Sequence, residues 1–282
     1  MNEIQPVAWT LSGFGDEIDP DPTIQLAVLR ALGAGSIEVR SAWGVNVVDL
    51  DDEQLARLAE LVRAKEFGVS AVASPIGKVD VALDAELEVA RLARIIRVAQ
   101  ALGTPNIRVF SFFRSPGVTV ESVRDDVLVR MRLLADLAER EGVVLLHENE
   151  KDIYGDTPER VLDLVESVGS PALRLAWDNA NFVQVGVRPF DEGYAKLRPY
   201  LDYLQVKDAV ATTGAVVPSG EGDGQLLETL TALRDDGYTG FASLEPHLAS
   251  AHELGGFSGP EAFGSAARAF RGLTDGLGIE LR

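Results

Sequence analysis

The chain has 282 residues, with 44 acidic side chains against 26 basic ones, a formal charge of −18 and no cysteine. Such acidity repels phosphate backbones and anionic membranes, which argues against a nucleic-acid or membrane-surface protein, and the lack of thiols excludes disulfides and cysteine chemistry. No run approaches the roughly 18 apolar residues of a membrane span, and Met1–Thr10 lacks the basic-then-apolar pattern of a signal peptide, so a soluble cytoplasmic protein is expected.

In chain order, short apolar runs alternate with amphipathic stretches. Val7–Ser12 reads as a strand and Thr23–Leu32 as a helix, ended by Gly33. Ser36–Val39, Val69–Ser74 and Asn106–Phe110 follow as strands, separated by helical patterns over Asp52–Lys65 and Glu86–Leu102, with Gly68 and Gly103 as stops. Then come the helix Arg124–Arg140, Gly142 and the strand Val143–His147. Asp156-Thr157-Pro158-Glu159 is a good helix entry, and the helix Pro158–Val168 stops at Gly169. Leu173–Trp177, Tyr203–Lys207 and Phe241–Leu244 complete eight strands, the last two followed by long loops over Ala209–Asp223 and Pro246–Pro260. Strands apolar on both faces suit a parallel sheet covered by helices. The unbroken alternation predicts an α/β fold, a (β/α)8 TIM barrel with a single domain over residues 1–282.

Polar residues recur just after these strands, about 33 residues apart, the length of one strand–loop–helix unit. In a barrel such strand ends form one rim. On strands five to eight they are Glu148, Asp178, Gln205 and Glu245. A lone carboxylate there is commonly only a helix N-cap, and a lone glutamine only a loop contact. Four in succession favour one site, and like charges so close cost several kcal/mol unless they share a cation. A divalent metal is the simplest remedy.

Arg40, Lys78, Arg114, Lys151 and Lys207 also stand just past strand ends. They suit binding of substrate hydroxyls, an oxyanion or a carboxylate, or pairing with neighbouring acids. His247 is a candidate for proton transfer or substrate contact, whereas alternation aims His147 away from a pocket that Glu148 enters. The glycine-rich stretch Pro218–Gly224 carries Glu221 and Asp223 and lacks the Lys and Ser/Thr of a phosphate loop, which favours a neutral sugar or polyol substrate. Trp9, Trp43, Phe112, Phe113 and Phe182 suit either stacking on a sugar or core packing.

Several of these pieces together resemble the xylose isomerase-like barrel family, also called the sugar phosphate isomerase/epimerase family. They are Gly13-Phe14-Gly15-Asp16-Glu17-Ile18, Ser74-Pro75-Ile76-Gly77-Lys78, Glu148-Asn149, Asp178, Gln205-Val206-Lys207-Asp208, Gly220-Glu221-Gly222-Asp223-Gly224 and Glu245. The resemblance implies a divalent metal held by Glu148, Asp178, the strand-seven position and Glu245, with Glu148 and Glu245 doubling as the acid/base pair. Two positions depart from it. Gln205 stands where the family has histidine, and Asn181 where a second histidine is common. The resulting all-oxygen set favours Mn or Mg over Zn. The implied reaction is sugar or keto-polyol isomerisation or epimerisation through an ene-diolate. A keto-polyol (inosose-like) dehydratase would begin with the same proton abstraction, and the two departures keep open a non-catalytic carbohydrate-binding barrel. A homo-oligomer is expected by analogy alone. The family's abasic-DNA endonucleases need more histidines and a basic groove, which this chain lacks.

Overall fold

The computed structural model describes residues 7–249 and 256–282; the rest of the Met1–Thr10 terminus and of the Pro246–Pro260 loop lies outside them. Eight parallel strands form the predicted barrel: β1 Val7–Gly13, β2 Ser36–Val39, β3 Gly68–Ala73, β4 Asn106–Val109, β5 Val144–Glu148, β6 Leu173–Asp178, β7 Leu201–Val206 and β8 Phe241–Leu244. Pairing runs from β2 through β8 to β1, and a single bridge between Phe14 and Glu38 closes the β1–β2 seam. A ninth strand not foreseen from sequence, β9 Ile279–Leu281, pairs with Val7–Trp9 at the start of β1, whose remaining residues pair with β8.

The outer layer comprises α1 Pro22–Ala31, α2 Asp52–Ala64, α3 Ala85–Leu102, α4 Arg124–Glu141, α5 Pro158–Val168, α6 Asn179–Gln184, α7 Leu226–Asp235 and α8 Gly259–Leu277. Helix entries follow local chemistry. Asp51 forms a capping box with Gln54, and Asp21 and Asp84 accept first-turn N–H groups. Gly103, Gly142 and Gly169 cap their helices in the left-handed conformation. Gly68 does not stop a helix; it begins β3, where a Cβ would lie 2.7 Å from Ser36 Oγ on β2. Glu66, at φ +50°, turns the chain out of α2 instead. The sixth crossover is broken because Gly186 and Pro189 interrupt it, leaving α6 short.

The main core lies between the helices and the outer face of the barrel. Trp9 and Phe182 belong to it, edge-on to Tyr238 at 5.3 Å and Trp177 at 5.0 Å, and Phe112 is buried as well. Trp43 lies half-buried beneath the Arg57 guanidinium. Inside the barrel, Ala71, Leu146, Ala176 and Tyr203 form an apolar layer. Two residues further along their strands, on the same inward face, stand Glu148, Asp178 and Gln205. The interior thus turns polar at the C-terminal rim. Among the described residues no helix is long and apolar enough to cross a membrane.

Candidate active site

Glu148, Asp178 and Glu245 each bring a carboxylate oxygen within 4.8 Å of the others. All three are buried. Glu148 Oε1 accepts from Asn181 Nδ2 at 3.0 Å, and its Oε2 meets Arg108 Nη1 at 3.1 Å. Asp178 caps α6, with Oδ1 accepting from the Asn181 N–H at 2.9 Å, while Oδ2 lies 2.8 Å from Lys207 Nζ. Glu245 lies 3.0 Å from Lys207, 3.3 Å from Arg40 and 3.6 Å from Arg108. Buried cations of the protein itself therefore stand among these acids and offset part of the cost of holding them in a dry interior.

The cations are held in turn. Arg40 donates Nε to Asp16 Oδ2 at 2.8 Å and Nη2 to the Gly256 carbonyl at 2.9 Å. His247, at φ +46°, places Nε2 3.1 Å from Glu17 and 3.3 Å from Glu245. Asn149 clamps the end of β6 by donating to the Asp178 carbonyl and accepting its N–H. Asp208 accepts the N–H groups of Gly220, Gly222 and Gly224, so the glycine-rich loop wraps a carboxylate of the chain and is no phosphate cradle.

Electrostatics separate the acids. Burial raises Glu148 above the usual carboxylate range against the pull of Arg108, and raises Asp178 against Lys207. Burial would raise Glu245 too, but Lys207, His247 and Arg108 outweigh it and hold it well below that range. His247 would be lowered by burial, yet Glu245 and Glu17 push it up to about 9. His147 points outward as expected. Its Nε2 lies 3.0 Å from Ser111 Oγ, and burial lowers it to about 3.

Arg40, Lys78, Lys207 and His247 line, with Glu148 and Glu245, a cavity of about 70 Å³. Lys78 sits at its mouth, 3.3 Å from Glu150. Asn181 stands behind Glu148. Arg114 and Lys151 are not brought to the cavity; Arg114 reaches the Asp152 carbonyl at 3.4 Å on the outer rim, and Lys151 is exposed. A wider cleft of about 530 Å³ beside α7 is lined by Arg188 and by Asp208, Asp223 and Glu228, none of which belongs, among the described residues, to a cluster that could hold a metal. The smaller cavity is the one that Glu148, Glu245 and their buried cations line together.

Gln205 donates Nε2 to Glu38 Oε1 and Oε2 at 3.1 and 3.3 Å, and its own Oε1 is buried without a partner. That orphaned oxygen, together with the three clustered carboxylates, fits a hard divalent cation. The Glu17, Glu245 and His247 ligand atoms also lie within 4.8 Å of one another, but a protonated His247 already compensates that pair of acids. Sequence alone gives no role to Arg108, Glu17 or Glu38, although Glu38 and Arg108 stand at strand ends and Glu17 in the Gly13–Ile18 motif. Their available signal was a charge within, or just after, an apolar strand run, where few charges are left unpaired.

Residues 26–273 match the family described as xylose isomerase-like TIM barrel. The chain belongs to that family. A 2-epi-5-epi-valiolone 7-phosphate 2-epimerase from Actinoplanes sp. is 34% identical over 220 residues, covering 73% of this chain and 79% of that protein. A 3-dehydroshikimate dehydratase from Bacillus anthracis is 23% identical over 225 residues, covering 72% and 78%. Among solved structures, a xylose isomerase-like TIM barrel protein from Mycobacterium smegmatis, in complex with magnesium, superposes with a TM-score of 0.69 at 20% identity. It covers 97% of this chain and 98% of its own, and shows the shared barrel. The relatives of this xylose isomerase-like barrel thus include an epimerase and a dehydratase.

Proposed function

We propose that the protein is an isomerase or epimerase that moves a proton on the carbon beside the carbonyl of a sugar or keto-polyol. The observation that carries this reading is the placement of Glu148 and Glu245. They stand on β5 and just past β8, face one cavity, and share Arg108 Nη1 at 3.1 and 3.6 Å. One carboxylate removes the proton and the other returns it from the opposite side of the carbon, which inverts that centre. Lys207 and Arg108 offset the negative charge that develops on the substrate oxygens. Arg40, Lys78 and His247 orient the hydroxyls, Asn181 holds Glu148 from behind, and Arg114 and Lys151 are reserved for groups that extend past the rim.

Glu148, Asp178, Gln205 and Glu245 are the residues that would hold Mg²⁺ or Mn²⁺, a reading supported by the magnesium-bound barrel of the same fold. When bound, such an ion polarises the carbonyl and its neighbouring hydroxyl. The dehydratase relative favours a second reading, in which the same proton abstraction is followed by loss of water.

Deuterium exchange from solvent into ketoses and keto-inositols, followed by mass spectrometry, tests the proposal. Glu148→Gln and Glu245→Gln should each lower exchange by about 10²- to 10⁴-fold. Full exchange in both variants would refute the acid/base assignment. A product lighter by one water would move the activity to the dehydratase reading.

A further inference from the structure

We propose that Glu38 is a positioning residue that turns the Gln205 amide so that its oxygen, not its nitrogen, faces the cation site; this rests on the metal-dependent reading above. A carboxamide has two ends of nearly equal shape and opposite hydrogen-bonding character, and only the oxygen can ligate a cation. Gln205 is fully buried on β7, paired in register with Asp178 on β6, so the two side chains share the inward face. Its Nε2 donates to both Glu38 oxygens, at 3.1 and 3.3 Å.

With Glu38 ionised, reversing the amide would set its oxygen against a carboxylate and its NH₂ group toward the cation. Glu38 therefore selects one orientation, and in that orientation Gln205 Oε1 is left without a partner. Glu38 is itself fixed. The Tyr203 hydroxyl donates to its Oε2 at 2.8 Å, and its backbone forms the bridge that closes the barrel. A carboxylate behind a metal ligand sets which atom the ligand presents, and removing such a partner typically weakens metal binding about 10- to 100-fold.

The test is Mn²⁺ affinity of the chelator-stripped full chain, read from the free-Mn²⁺ electron paramagnetic resonance signal. Wild type should bind Mn²⁺. Glu38→Ala and Gln205→Ala should each weaken binding about tenfold or more, and Glu38→Ala should add nothing once Gln205 is alanine. Glu38→Gln keeps the shape but leaves both amide orientations open. It should weaken binding by a smaller factor, and it carries the test if the alanine variant does not fold. Wild-type affinity in both Glu38 variants, alongside weak binding in Gln205→Ala, would overturn the role of Glu38 and leave the metal site standing. A Glu38→Ala loss that persists on Gln205→Ala would also overturn it, because the effect would then not pass through the amide. Failure of wild type to bind Mn²⁺ would refute the metal-dependent reading and this inference together.

Discussion

Lys207 places a buried ammonium 2.8 Å from Asp178 and 3.0 Å from Glu245. Its charge is what lets those acids stay in a dry site, so Lys207→Met should cost about 3–5 kcal/mol of stability. Added Mn²⁺ should raise the melting temperature of that variant more than that of wild type. Equal melting of the two proteins would sink the prediction. Gly155 makes a different kind of contact, since a Cβ there would lie 2.5 Å from His147 Cε1. Gly155→Ala should therefore cost about 1–3 kcal/mol through overpacking, measured by urea unfolding. At this scale, Glu148, Asp178, Gln205 and Glu245 were legible because each follows or ends an apolar run at the same phase of a strand. Their partners were not, because Arg108 meets Glu148 from the neighbouring strand β4 and Glu38 meets Gln205 across the barrel, and no local pattern records either pairing.

Among the elements, Asp163 of α5 links three segments. Arg124 donates to it with Nε at 2.8 Å, and the Tyr154 hydroxyl does so at 2.5 Å. Arg124 first, then Tyr154 and Ser167, hold Asp163 below the usual range. A depressed carboxylate stabilises the fold above its unfolded value, about 3.9, and that contribution fades as pH falls through the folded value. Asp163→Asn should accordingly melt lower than wild type at neutral pH, with the gap narrowing under acid, as circular dichroism would reveal. A gap unchanged by acid would show that ionisation is not the cause. Asp208 does similar work for the loop before α7, and Asp208→Ala strands the N–H groups of Gly220, Gly222 and Gly224. Faster proteolysis within that loop is expected, and an unchanged cleavage pattern would count against it. The eight strands and the first five helices were readable because their periodicities are regular and their ends carry Asp, Pro and Gly. The sixth crossover was not, because α6 owes its start to Asp178, a residue read for its rim position, and is too short to show a period.

On the scale of the whole molecule, the barrel is not equally strong around its circumference. Ladders of several residue pairs join β4 to β8, but among the described residues only the Phe14–Glu38 bridge joins β1 to β2. Amides of Ser36–Val39 should exchange with deuterium faster than those of β6 and β7; equal protection would contradict this. Eight evenly spaced units made the closed barrel legible, whereas Ile279-Glu280-Leu281 is too short to announce a strand. That last strand carries a temporal consequence. The Leu11 N–H donates to the Arg282 carbonyl at 2.7 Å, and the Arg282 N–H to the Trp9 carbonyl at 2.9 Å. As the chain leaves the ribosome, Val7–Gly13 emerges well before its ladder partners β8 and β9, which come more than two hundred residues later. The nascent barrel must carry an uncovered apolar edge until those strands are made, and its closure waits on them.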